Sequence, residues 1–300
     1  MAGTLRPGRH YQLYMDALPK ERPLEQLLGD LLAMDPSCGV VFHGFPQSMG
    51  ARFDPWAAAA KNAGLPSGAA FGLDGTSVSA EHKGDAVGDV ASRAGVYVTL
   101  IDCESHYDSG PTRVQEMIAL GQHARAKAPD ALFIAQPWPM PLLHSGFPYE
   151  QENAFCDANA PQYYYNDWRS SYGAARYAAL DPKFDEQWRT LNSGRLAHIV
   201  RPMLKTIQSE GWDDVIWDLI TCLLANPTVI VWCDRGVPSS RAFPTAVRAI
   251  EALTDRGHTG ARAVWDFQVE QQRAGAYKGR IDGKAGAETL SLLGIKWSAS

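Results

Sequence analysis

Short apolar runs recur along residues 10–234, each stopping at a polar or aromatic loop and most followed by a stretch with helical spacing. The strand-patterned runs are residues 10–15, 39–43, 69–73, 95–104, 132–135, 161–165 and 228–232. A further one lies around 202–206, where Pro202 interrupts an otherwise helical pattern. Helical spacing covers residues 24–34, 55–63, 86–93, 112–127 and 212–224. Such alternation predicts an α/β fold with a parallel sheet, and about eight strands over this length predict a (β/α)8 TIM-type barrel. An open doubly wound sheet is the alternative. Against it, no GxGxxG or Walker loop follows an early strand, and acids and aromatics close the strands along the whole chain rather than at one switch point.

The pattern changes near Pro238. Residues 247–256, 261–273 and 287–293 read as helices, with Gly283 and Gly286 in the last connection. Two domains follow from this, a barrel over residues 1–238 and a small C-terminal α-helical domain over 239–300. A 300-residue chain with 45% hydrophobic residues can bury a large core. Its net charge of -5, without a long Lys or Arg run, argues against nucleic acid as a partner.

No window approaches the ~18 apolar residues of a membrane span. Residues 1–10 lack the apolar centre of a signal peptide, so the chain is expected to be made in the cytoplasm and to act elsewhere only after release or delivery. Cys38, Cys103, Cys156, Cys222 and Cys233 are odd in number and scattered, which predicts buried reduced thiols. With no CxxC and no HExxH, neither a metal nor a cofactor is called for.

The chemistry concentrates at Val98-Thr99-Leu100-Ile101-Asp102-Cys103-Glu104, an apolar run that delivers two carboxylates at its end. On a strand, Asp102 and Glu104 share a side and Cys103 points the other way. Two acids this close cannot both ionise freely, which is one way to make a general acid. In a TIM-type barrel the active site lies at the C-terminal strand ends. That rule gathers Asp16, His43, Asp74, Gln136, Trp138, Tyr163, Tyr165, Asp167, Trp232 and Asp234 around the pair as candidate substrate-binding residues. Acids among rings suit carbohydrate, because sugar CH faces stack on aromatics while carboxyl groups act on a glycosidic bond. Asp16, Asp74 and Asp234 are also natural turn or N-cap residues.

Two resemblances attach to these residues. The Ile101-Asp102-Cys103-Glu104 stretch, with Asp16 after the first strand, resembles the lysozyme-type barrels of glycoside hydrolase family 25. The same Asp-x-Glu, with PQYYYND and TVIVWCD later, is also similar to the chitinase-like barrels of family 18, although Val98 and Leu100 stand where that family has further acids. Either resemblance implies that Glu104 is the proton donor and that Asp102 orients the substrate's acetamido group or stabilises the developing cation. Near the C-terminus, Phe267-Gln268 followed by Asp282, Gly283, Gly286 and Thr289 resembles the small three-helix peptidoglycan-binding domain, with a shorter connection between the first two helices. Together they imply an endolysin-like peptidoglycan hydrolase acting on the cell-wall glycan strand. A non-catalytic wall-binding protein on a decayed barrel, and a metal-dependent hydrolase using His43, Asp16 and Asp102, are the alternatives.

Overall fold

The computed structural model of the chain describes residues 5, 8–16, 23–75, 77–138, 141, 143–162, 203–205, 220, 224, 228–233, 242–260, 262–283 and 285–296. Its strands are β1 (Gly8–Tyr14), β2 (Gly39–Gly44), β3 (Ser67–Gly72), β4 (Val96–Asp102), β5 (Phe133–Ala135), β6 (Ala158–Asn159), β7 (Met203–Lys205) and β8 (Thr228–Cys233). They form one sheet in the order β6-β5-β4-β3-β2-β1-β8-β7, and each described pairing is parallel. That is the cyclic order of eight consecutive strands, opened between β6 and β7. The helices between strands are α1 (Leu24–Met34), α2 (Pro46–Asn62), α3 (Ala80–Ala91), α4 (Ser105–Ser109), α5 (Arg113–Lys127) and α6 (Tyr149–Phe155).

Alternation divides the strand residues between two cores. Tyr11, Leu13, Val40, Phe42, Ala69, Phe71, Ile101, Cys103 and Phe133 belong to the layer shared with the helices. Val41, Ala70, Val98, Leu100, Ile134, Ala158 and Ile230 form a second cluster on the opposite face. Since β6 and β8 both reach that cluster, the sheet is curled around it. Glycines make the curl tight: a Cβ at Gly68 would sit 2.7 Å from Val98, and one at Gly39 would sit 2.4 Å from the Tyr97 hydroxyl. That hydroxyl lies 2.8 Å from His10 Nδ1.

The firmest sign of curling is polar. Gln136 Nε2 donates to Gln12 Oε1 at 2.7 Å, and Gln12 Nε2 donates back to Gln136 Oε1 at 3.2 Å. Gln12 is on β1 and Gln136 follows β5, four strands away in the sheet order. In a flat sheet that separation is about 19 Å, far beyond the reach of two amides.

The helices pack on the outer face through small residues. A Cβ at Gly84 or Gly88 of α3 would lie 2.5 Å from the Leu120 carbonyl or 2.8 Å from the Ala124 carbonyl of α5, respectively. Several helices start earlier than their polar sequence predicts. The start predicted at residue 55 for α2 is corrected to Pro46, with buried Met49 and Phe53 extending the apolar face ahead of Pro55. For α3 the start at residue 86 is corrected to Ala80: Ser79 Oγ accepts the His82 N–H, and buried Lys83 and Gly84 conceal the apolar stripe. Of the strand predicted at 161–165, residues 163–165 lie outside the described residues; just before it, Ala158 and Asn159 pair with Ile134 and Ala135, and the Gln162 N–H donates to the Pro137 carbonyl at 3.0 Å. Neither α4 nor α6 is legible in advance, both being less than two full turns.

Toward the C-terminus lie α7 (Ala242–Asp255), α8 (Ala263–Arg273) and α9 (Ala287–Leu292), with buried Leu253, Val264, Phe267 and Leu290. The buried Gln268 side chain organises the turn before α9. Its Oε1 accepts the N–H groups of Asp282 and Gly283, at 3.1 and 2.9 Å, while Nε2 lies within 3.3 Å of Tyr277, Asp282 and Thr289 oxygens. Gly283 has φ +73°, which only glycine adopts without strain.

Replacing Gln12 or Gln136 alone by Leu breaks both bonds between the buried amides, and each variant is expected to lose about 1–3 kcal/mol in urea unfolding. The double variant should lose less than the sum of the two, since both changes remove the same pair of bonds. Additive losses would show that the two amides act independently.

Candidate active site

At the C-terminal strand ends, the inner face of the sheet turns polar. Asp102 closes β4 on the same face as Val98 and Leu100, and its side chain keeps 13% exposure. Gln162 Nε2 donates to Asp102 Oδ1 at 2.7 Å and to the Gln136 carbonyl at 2.9 Å. His43 on β2 brings Nε2 to 3.4 Å from Asp102 Oδ2, although β3 separates their strands. Gly72 at the end of β3 lies under these rings: a Cβ there would touch the His43 ring at 3.4 Å and crowd Phe45 at 3.1 Å. Tyr14 meets His43 edge-on at 5.1 Å and Phe45 at 6.3 Å between ring centroids. Phe45 is 40% exposed, so a ring faces solvent beside a partly covered carboxylate. Burial and the charge of Asp16 raise the pKa of the Tyr14 hydroxyl.

Beyond Asp102 the chain turns. Cys103 is fully buried in the sheet–helix layer, and burial pushes its thiol well up and so keeps it unreactive. Half-buried Glu104 then forms the N-cap of α4. Its N–H donates to Asp74 Oδ1 at 2.8 Å, while the Ser105 N–H and hydroxyl donate to Asp74 Oδ2 at 3.0 and 2.9 Å. Asp74 therefore caps α4 from the loop after β3.

The other predicted residues take different positions. Asp16 follows β1 and is ion-paired with Arg52 of α2, whose guanidinium lies 4.7 Å from the centre of the Trp56 ring. Gln136 lies deep, in the amide pair with Gln12. Trp138 is half-buried and stacked on His144 at 4.9 Å, and His144 in turn contacts Asp108 of α4 at 2.9 Å. Trp232 belongs to β8 in register with Gln12 and Lys205. Tyr163, Tyr165, Asp167 and Asp234 lie outside the described residues. Among the described residues, no three His, Cys, Asp or Glu side chains come together in a way that could hold a metal ion. Gln12, Tyr14, Phe45, Gln162 and His144 are not among the residues gathered from the sequence, although Tyr14 closes β1. For Gln12 and Tyr14 a signal exists, since they alternate with the apolar Tyr11 and Leu13 on one strand.

Behind β4, on α6, lies an acid the sequence does not single out. Glu152 has no exposure, and among the described residues neither of its carboxyl oxygens has a hydrogen-bond partner. Burial, reinforced by the charge of Asp102, pushes its pKa well above the ordinary carboxylate range and holds it protonated. Burial also raises Cys156, Tyr107 and Tyr149 around it, so these side chains carry no charge near neutral pH.

No family model and no curated protein matches the chain. Among solved structures, one similar protein is a psychrophilic glycoside hydrolase family 10 endo-β-1,4-xylanase. It has 10% identity and a TM-score of 0.44, over 75% of this chain and 84% of that one. Another, from Coccidioides immitis, is assigned as a fructose-1,6-biphosphate aldolase, with 13% identity and a TM-score of 0.42 over 95% and 86% of the two chains.

The buried acid makes stability depend on pH. The native chain keeps a Glu152 proton that the unfolded chain releases near the ordinary Glu value of about 4.3. Stability from this group is therefore complete below that value and falls as pH rises, by about 1.4 kcal/mol per pH unit while the native state holds the extra proton. Glu152→Gln removes that slope. Thermal unfolding is expected to show the variant gaining on the wild type as pH rises above about 5. A gap that stays constant over this range would mean that Glu152 ionises alike in both states.

Proposed function

We propose that this chain is a glycoside hydrolase of amino-sugar glycan, with peptidoglycan as its substrate, built on a (β/α)8 barrel that closes between β6 and β7. The observation that carries this reading is the Asp102 carboxylate at the mouth of the curled sheet, held by Gln162, approached by His43 and bordered by the Tyr14 and Phe45 rings. One oxygen of Asp102 is fixed by an amide donor, which orients the carboxylate without neutralising it. In this reading the carboxylate steers the acetamido group of the sugar, whose own oxygen assists departure of the leaving group. Substrate assistance of this kind needs no second enzymic nucleophile. Glu104, two residues further on, donates the proton to the leaving oxygen. Phe45 and Trp138 offer ring faces for the sugar CH groups. The C-terminal helices serve to keep the enzyme on the wall, raising the local concentration of substrate.

A non-catalytic glycan-binding protein is the second reading. It is favoured by the engagement of Asp16 with Arg52 and of Asp74 with α4, which leaves fewer acids at the mouth than the sequence offers.

Release of reducing ends from purified peptidoglycan separates the two. Glu104→Gln is expected to lower the rate by a factor of about 10² or more, the usual loss when a general acid is removed. Asp102→Asn is expected to fall as well, with wall binding retained in both variants. Wild-type protein that binds walls and releases no reducing ends would support the binding protein instead, and a fully active Glu104→Gln would remove Glu104 from the mechanism.

A further inference from the structure

The loop after β3 is tied to the end of β4 by more bonds than a surface connection needs. The Leu73 N–H donates to the Asp102 carbonyl at 2.9 Å. Asp74, the next residue, spends both carboxylate oxygens on Glu104 and Ser105, accepting two N–H groups and one hydroxyl. On either side of Asp74, the Leu73 and Gly75 carbonyls accept hydrogen bonds from Lys83 Nζ, at 2.7 and 2.6 Å.

Lys83 is an unusual residue for this duty. It is 4% exposed, lies on the buried stripe of α3, and has its ammonium 5.4 Å from the centre of the Tyr107 ring. Burial lowers its pKa, against the opposing charges of Glu116 and Asp74, so the ammonium is held where desolvation disfavours it. Its two carbonyl contacts bracket one residue, Asp74, and Asp74 in turn grips the backbone of Glu104. The bonds thus run from α3 through the loop to the start of α4.

We infer that Asp74 and Lys83 are positioning residues for Glu104, acting as a clamp that fixes the backbone at the β4–α4 turn so that its carboxyl meets the glycosidic oxygen. The inference rests on Glu104 being the proton donor. It gives Asp74 a role in setting catalytic geometry in place of contact with the sugar. Small displacements of a positioned acid are costly, because proton transfer requires hydrogen-bond reach to the leaving oxygen.

The test uses the full chain, soluble peptidoglycan fragments as substrate and amide hydrogen exchange read by mass spectrometry. Asp74→Asn keeps one acceptor and loses the other, and Lys83→Met removes both bracketing bonds. Both variants are expected to lower kcat by about 10- to 100-fold while KM stays within about twofold, and to speed exchange of the Glu104 and Ser105 amides by about tenfold or more. Lys83→Arg, which retains a cation with several donors, should recover most of the rate. In the Glu104→Gln background, Asp74→Asn should cost less than about a further twofold, because both changes act on one group. Unchanged kcat in Asp74→Asn and Lys83→Met, beside an inactive Glu104→Gln, would sink the clamp and leave the glycosidase reading standing. An active Glu104→Gln would remove Glu104 from the mechanism and overturn the clamp with it, and wild-type protein that releases no reducing ends would overturn the glycosidase reading itself. If Asp74→Asn does not fold, the Lys83→Met and Lys83→Arg pair carries the same comparison, and an Arg variant as slow as the Met variant counts against the clamp.

Discussion

Gln12 and Gln136 meet across the interior of the sheet, and the geometry of the mouth depends on that meeting. Each amide is buried, and burial of a polar group favours a hydrogen-bonded partner. Bonding the two to each other brings β1 and the end of β5 face to face around a narrow core of Val41, Ala70, Leu100 and Ile134. The bonds then continue upward. Gln136 passes its carbonyl to Gln162, and Gln162 passes its second contact to Asp102, beside which His43 stands. Side chains from β1, β2 and β4 and from the loops after β5 and β6 are thereby joined into one polar layer above an apolar one. The Asp102 carboxylate on that layer is oriented before any ligand arrives.

The acids around Asp102 divide their labour by environment. Asp16 is drawn outward by Arg52, Asp74 caps a helix, and Glu152 is neutralised by burial in the layer behind the strand. Asp102 alone among these faces the interior at the mouth. The division follows from what each carboxyl finds: a guanidinium, two backbone amides and a hydroxyl, no hydrogen-bond donor among the described residues, or one amide donor with His43 alongside. A glycine also bears on this layer, because a Cβ at Gly72 would stand 3.1 Å from the Phe45 ring.

Much of the strand pattern can be read directly. The runs that become β1 to β5 and β8 show their apolar alternation or continuity, and the Asp282-Gly283 turn announces itself through a glycine that must adopt positive φ. Helix starts are harder, because the buried stripe of α3 includes Lys83 and Gly84, one polar and one without a side chain. Neither registers as apolar. The β6 strand is obscured for a different reason, its two paired residues being too few to form a periodic pattern.

What the amino-acid order determined by itself is local: which segments extend, which coil into helices, and that Asp102 and Glu104 come at the end of an apolar strand with a buried Cys103 between them. These follow from side-chain periodicity and backbone preference within a few residues. Only the tertiary structure decided who those residues meet. Gln12 finds Gln136 124 residues away, Asp102 finds Gln162 60 residues away, and Asp74 grips the amides of Glu104 and Ser105 some 30 residues on. Such partnerships are set by how far the sheet curls and where its small residues allow close approach, and no local pattern encodes the curvature of the whole.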